Sequence, residues 1–381
     1  MTEADSLETL RRRTSEKWGK YPGDVLPMFV AEMDFPLAPA IKRALQTALE
    51  IGDTGYVNPL HTGAADAFAA YATATWGWSP SPERMRSTTD VSVVIVESLR
   101  RLIARGDGVI ITPPVYPPFY DLVPEGGGTV VEVPLLDDGA TYALDLAGID
   151  RALAAGARGV LLCNPHNPVG LVPDRDTLTR LSRIVARHGA VVISDEIHAP
   201  LTHRSSVFTP YLSVSEEARE HGLAAESASK AFNLAGLKCA LFVAASDRMT
   251  KLIRSLPAEV TFRTGLFGLI ATREGFAHGR DWLKATLAAI ESNFTLLERQ
   301  LAEKLPMVRL RRPQATYLAW LDMSALGWGD DPAAHAAEHA RVALSRGPSF
   351  GAGGAGYARM NLGCAPATII QAVDRLAAIV R

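Results

Sequence analysis

The sequence predicts an α/β fold, a mostly parallel sheet between layers of helices, with a smaller α+β unit attached. Short apolar runs, Val109–Thr112, Gly159–Cys163, Ala190–Ser194 and Ala240–Ala244, read as strands buried on both faces. Helical spacing separates several of them: Asp176 to His188 places Leu178, Leu181, Ile184 and Val185 on one face, and Gly189 closes the segment. Strand and helix in alternation favour right-handed crossovers and a sheet covered on both sides. The 381 residues, at about 100–200 per domain, fit two domains or one large domain with a satellite.

In chain order, residues 1–50 hold an irregular stretch around Tyr21–Pro39 and a helix from Ala40 to Ile51, and are expected to join the smaller unit. Residues 51–280 form the larger domain, with a helix from Val93 to Ala104. Residues 281–381 form the small α+β domain: a helix from Asp281 to Lys304, strands at Met307–Arg311 and Thr316–Asp322, a helix from Pro332 to Ser345, a Gly-rich loop and a last helix.

Composition narrows the function classes. Hydrophobic residues at 48% and charged residues at 21% suit a folded globular chain. Lys+Arg 39 against Asp+Glu 41 leaves no positive field for phosphate backbones or anionic lipid, so neither nucleic acid nor membrane is an expected partner. Cys163, Cys239 and Cys364 are too widely spaced for a zinc site or a disulfide framework, which suits a reducing cytoplasm. No apolar run approaches the roughly 18 residues of a membrane span.

Ligands of open parallel sheets bind beyond the carboxyl ends of the strands. Three such ends are polar here: Asn164-Pro-His-Asn-Pro-Val-Gly170, Asp195-Glu-Ile-His198 and Ala224-Ala-Glu-Ser-Ala-Ser-Lys230. Each alone reads as a turn or a cap, but three on one edge, with an amine and a carboxylate among them, point to a site. Among only eight lysines, Lys230 stands out, set between small residues and the apolar stretch Ala231–Leu237. Partial burial there would lower its pKa and leave a nucleophilic amine suited to Schiff-base chemistry.

These motifs, with a late Ala358-Arg-Met-Asn-Leu362, resemble the class I/II, fold type I pyridoxal phosphate (PLP) enzymes. Asp24-Val-Leu-Pro-Met-Phe-Val-Ala-Glu-Met-Asp-Phe35, Pro114-Val-Tyr-Pro-Pro-Phe119 and Asp195-Glu-Ile-His-Ala-Pro-Leu201 narrow the resemblance to its cystathionine β-lyase, or C–S lyase, branch. The resemblance implies a seven-stranded large-domain sheet and PLP as cofactor. It implies that Lys230 binds the cofactor covalently and moves the Cα proton, while Asp195 pairs with the pyridine nitrogen. It places Asn167 and His198 at the ring oxygen, Tyr116 on the ring face, and Ser227, Lys238 and the backbone of Val91 and Ser92 around the phosphate. It assigns the substrate to Arg359, which grips the α-carboxylate, with Ala31, Tyr116 and Asn167, and implies a homodimer with shared sites that Tyr56 reaches from the neighbouring subunit. Asp90 departs from the pattern, because many relatives carry glycine there and a carboxylate beside a phosphate is unfavourable unless it points away.

Two other signals point nowhere. Gly351-Ala-Gly-Gly-Ala-Gly356 satisfies G-x-G-x-x-G but has no room after it for a dinucleotide-binding unit. His198 and His203 read as loop histidines rather than metal ligands, and no metal is expected. The leading functional expectation is a C–S β-lyase acting on L-cystathionine or a related cysteine S-conjugate. An aminotransferase is the runner-up, and a PLP-binding regulatory protein the third reading.

Overall fold

The computed structural model describes residues 3–58 and 63–380. Its centre is a seven-stranded sheet in the order Met85–Thr88, Ala240–Val243, Gly222–Glu226, Val191–Asp195, Gly159–Cys163, Gly108–Ile111, Thr129–Glu132. The last five run parallel, and Ala240–Val243 is antiparallel to both of its neighbours. Every residue of Gly159–Cys163, Val191–Asp195 and Gly222–Glu226 is buried, as expected of strands covered on both faces. The helix Arg175–Arg187 packs Leu178, Leu181 and Val185 inward and is capped by Asp174, whose side chain accepts from the Thr177 N–H.

A second, antiparallel sheet runs Arg309–Leu310, Leu318–Asp322, Tyr357–Asn361, Ser345–Arg346. The N-terminal chain attaches to this side: Leu26–Pro27 pairs in parallel with Val342–Ala343. One expected element differs. The helix read over Pro332 to Ser345 ends at Ala340, because Arg341 turns left-handed (φ 56°) and the next residues leave as strands Val342–Ala343 and Ser345–Arg346. The Gly-rich loop lies against Tyr120, Pro113 and Pro114, where a Cβ on Gly351 would collide with the Tyr120 hydroxyl.

Between the two sheets runs a largely buried segment, Met28 to Asp34, that belongs to neither. One end is anchored by a buried ion pair, Lys17 Nζ to Asp34 Oδ2 at 2.8 Å, while Trp18 Nε1 donates to Asp34 Oδ1 at 2.9 Å.

At the carboxyl ends of strands Val191–Asp195 and Gly222–Glu226 two acids, Glu196 and Glu226, are buried together. Glu196 Oε1 accepts from Ser194 Oγ and the Tyr211 N–H, both at 2.8 Å, while Glu196 Oε2 and both carboxyl oxygens of Glu226 are buried with no donor among the described residues. Burial raises both acids above the usual carboxylate range, and at Glu226 the charge of Glu196 raises it further, so a proton stands between them. The unfolded chain releases such protons near 4.5, so above that pH the native state holds more protons than the unfolded one. Stability therefore falls as pH rises from there until the shared proton is lost, by up to about 1.4 kcal/mol per pH unit per proton. Glu226→Gln, a neutral isostere of the protonated acid, is expected to flatten this decline in urea midpoints measured between about pH 5 and 8. An undiminished slope would mean that the pair does not share a proton.

Candidate active site

The carboxyl ends of the parallel strands open into a cavity of about 240 Å³. Of the residues expected at the site, Ala31, Val91, Ser92, Tyr116, Asn167, Asp195, His198, Lys230, Lys238 and Arg359 all border it.

Lys230 follows strand Gly222–Glu226 and donates to the Ala31 carbonyl at 3.0 Å. Burial, and after it the positive charge of Arg359, pushes its pKa down to about 8. Asp195 ends strand Val191–Asp195 and is 5% exposed. Burial pushes it up to about 6 against the Ile197 N–H, which donates to its Oδ1 at 3.2 Å, and the charge of Lys230. An acid raised by burial ionises more readily once a cation faces it. Arg359 is 6% exposed. Its Nη1 donates to Asn167 Oδ1 at 2.9 Å, and its Nη2 donates to the Phe29 carbonyl at 3.0 Å and to Ser345 Oγ at 3.1 Å. Burial lowers its pKa to about 10, so the guanidinium stays charged.

The helix Val91–Leu102 points its N-terminus at the cavity, where unpaired backbone N–H groups and the helix dipole favour an anion. Asp90 caps this helix: its Oδ1 accepts from the Val93 N–H at 3.1 Å, while its Oδ2 lies 3.6 Å from Lys238 Nζ. The carboxylate is thus tied to a cap and partly neutralised by the lysine. Lys238 reaches this position from a left-handed residue (φ 60°).

Two expectations land elsewhere. Ser227 lies behind the cavity wall, bonded to the Cys239 carbonyl at 2.7 Å and to Ser229 at 2.8 Å, so the hydroxyl at the cavity is that of Ser229. The alternation of Ser-Ala-Ser before Lys230 was the available signal. Tyr56 is 94% exposed on another face, and nothing in a single chain brings it to Lys230. Sequence reasoning also missed Cys163, which borders the cavity because strand register sets it beside Asp195.

The expected cofactor can be tested against this arrangement. A carboxylate, an amine and an anion-binding helix start with Lys238 share one cavity, the groups that a pyridine nitrogen, an aldehyde and a phosphate require. Two buried nitrogens on bordering residues, His198 Nδ1 and Arg359 Nε, have no hydrogen-bond partner within the described chain. Burial, and then the charges of Lys230 and Arg359, holds His198 down near 3, so it offers a neutral ring. The residues fit pyridoxal phosphate. Among the described residues no cluster of His, Cys, Asp and Glu could hold a metal, and no helix is long and apolar enough to cross a membrane.

Comparison with known proteins agrees with the fold and with the cofactor that the cavity fits. The model of the family "Aminotransferase class I and II" matches residues 24–376. A Mycobacterium tuberculosis relative, named as a candidate cystathionine beta-lyase, is 43% identical, covering 97% of this chain and 96% of its own. Cystathionine beta-lyase PatB of Bacillus subtilis is 33% identical over 98% of each chain. The crystal structure of cystalysin from Treponema denticola, which contains pyridoxal 5'-phosphate, superimposes with a TM-score of 0.91 at 25% identity, covering 99% of this chain and 97% of that one. This chain belongs to the class I and II aminotransferase family, in the group that holds these cystathionine β-lyases.

Proposed function

We propose that this protein is a PLP-dependent C–S β-lyase that cleaves L-cystathionine or a related cysteine S-conjugate to a thiol, pyruvate and ammonia. The observation that supports it most is the meeting of Lys230, Asp195 and Arg359 on one cavity in a chain whose relatives carry that activity. Bound there, PLP supplies an electron sink for the pair left at Cα when its proton departs.

The chain's own residues do the rest. Arg359 holds the substrate α-carboxylate with its planar fork, exchanging its bond to the Phe29 carbonyl for the carboxylate while Asn167 and Ser345 fix the guanidinium plane. Lys230, with its pKa near 8, carries the cofactor and takes the Cα proton. Asp195 would hold the ring nitrogen protonated, and Tyr116 would cover the ring face. Asn167 has Oδ1 engaged by Arg359, which leaves Nδ2 as the donor for the ring oxygen beside a neutral His198. Ser229, Lys238 and the start of helix Val91–Leu102 would hold the phosphate. The pair at Cα would become the Cα=Cβ bond as the Cβ–S bond breaks and its electrons leave with sulfur as a thiolate; the three-carbon enamine, freed when Lys230 takes back the cofactor, would tautomerise to an imine that water hydrolyses to pyruvate and ammonia.

The active form is a homodimer in which Tyr56 serves the neighbouring site, which accounts for a tyrosine 94% exposed on the single chain. Mixing inactive Tyr56→Ala with inactive Lys230→Ala subunits is expected to restore up to about half a site per dimer, since one site of each mixed dimer carries both intact residues. No recovery after verified subunit exchange would exclude sharing.

Purified protein is expected to convert L-cystathionine to equal amounts of pyruvate, ammonia and homocysteine without added 2-oxo acid, with alanine plus 2-oxoglutarate giving at most a slow side reaction. Rapid glutamate formation without thiol release would make it an aminotransferase. In protein stripped of cofactor, an amine-specific reagent should modify Lys230 with a midpoint near pH 8, where burial has placed its pKa. A midpoint near the ordinary lysine value of 10.5 would rule out the lowered amine.

A further inference from the structure

We propose that Tyr317 is a positioning residue for Lys230: its hydroxyl fixes the Ala31 carbonyl that receives the lysine amine. The inference rests on the assignment of Lys230 as the cofactor-bearing base. Tyr317 Oη donates to the Ala31 carbonyl at 2.9 Å, and Lys230 Nζ donates to the same oxygen at 3.0 Å. A carbonyl oxygen has two lone pairs, so both donors are accommodated together.

Ala31 needs such a partner. The Glu32 N–H closes back on the Val30 carbonyl at 2.9 Å, a three-residue turn that kinks the chain at Ala31 and turns its carbonyl away from Asn361, the partner of both neighbouring carbonyls. Lys230 cannot hold that carbonyl throughout, because its amine leaves the oxygen whenever it is joined to the cofactor. Tyr317 is the constant partner. It is 1% exposed, with its ring set edge-on to His198 at 6.5 Å between centroids. Burial raises its phenol well above the ordinary value, so the hydroxyl remains a donor at every pH where Lys230 titrates.

A second observation concerns how Tyr317 is delivered. Thr316, a β-branched residue, is held left-handed at φ 75°, a conformation such residues rarely adopt. Three bonds pin it there: its carbonyl accepts from His203 Nε2 at 2.7 Å, its N–H donates to the Leu201 carbonyl at 2.9 Å, and its Oγ1 accepts from the Leu318 N–H at 3.1 Å. Backbone strain kept in place next to a catalytic group is a pointer to function, and here it immediately precedes the one side chain that shares an acceptor with Lys230.

Tyr317→Phe keeps the ring and removes only the donor. In the holoenzyme kcat is expected to fall about tenfold or more, with KM within about threefold and an enlarged isotope effect for α-deuterated substrate, because the base that takes the proton is misplaced. In cofactor-stripped full-length protein, pyridoxal phosphate added and trapped with borohydride at timed intervals should join Lys230 several-fold more slowly, to the same final extent and with an unchanged Tm. Unaltered kcat and attachment rate would overturn the proposal, and so would a loss of kcat that follows a loss of Tm with no change in isotope effect or attachment rate. A wild-type label on another lysine would instead overturn the assignment of Lys230, and this role with it.

Discussion

A buried segment outside any sheet must still satisfy its backbone, and that requirement organises this molecule. From Met28 to Asp34 the carbonyls accept in turn from the Asn361 N–H, Arg359 with Ser345, Asn361 Nδ2, Lys230 with Tyr317, Asn361 Nδ2 with Lys17, Asn233 with Arg13, and the Asp5 N–H. The donors come from the large sheet side (Lys230, Asn233), the small sheet side (Tyr317, Ser345, Arg359, Asn361) and the N-terminus (Asp5, Arg13, Lys17). One irregular stretch therefore couples the two sheets, and the groups that saturate it include two of the three cations that face the cavity. The Lys17–Asp34 pair closes its end. Both charges are 1% exposed, so removing one partner alone strands the other and costs about 3–5 kcal/mol.

The electrostatics of the cavity favour anions. Lys230, Lys238, Arg359 and a helix N-terminus converge on it, against the carboxylates of Asp195 and Asp90. Asp90 is half spent on the helix cap, and Asp195 is itself raised by burial. The phosphate of the cofactor and the carboxylate of an amino-acid substrate would balance these cations. Crowding of like charge also tunes the lysine: the Arg359 guanidinium, kept charged because even a lowered arginine pKa near 10 stays above working pH, helps to hold Lys230 near 8.

Much of this was legible in the residues. Gly159–Cys163 was read to the residue, because a run of apolar residues ending in Asn-Pro marks both a buried strand and its end. The polar strand ends converged as expected, because parallel strands deliver their carboxyl ends to one edge. What failed depended on geometry that local pattern does not encode. Pro332 to Ser345 has helical composition throughout, yet Arg341 turns left-handed to free Val342 and Ala343 for pairing with Leu26 and Pro27, a contact more than 300 residues distant in sequence. Ser227 and Ser229 are chemically alike two residues apart, and only the path of the loop decides which one meets the cavity. Tyr317 had no signal at all, since its partner is a backbone oxygen and a backbone oxygen has no letter in the sequence.

That last point explains why this site tolerates so irregular an N-terminal stretch. A side-chain acceptor placed near Lys230 would titrate or swing, whereas a carbonyl does neither once the backbone around it is held. Holding the backbone requires donors that do not move during turnover, and the structure divides the labour accordingly. Asn361 takes the carbonyls of Val30 and Glu32 on either side of the kink, and Tyr317 takes Ala31 itself. Lys230 and Arg359 contact the same stretch at Ala31 and Phe29 and are the members expected to exchange partners when cofactor and substrate bind. Permanent and exchangeable donors thus share one segment, so the spacing of its carbonyls relates the grip on the carboxylate to the position of the base.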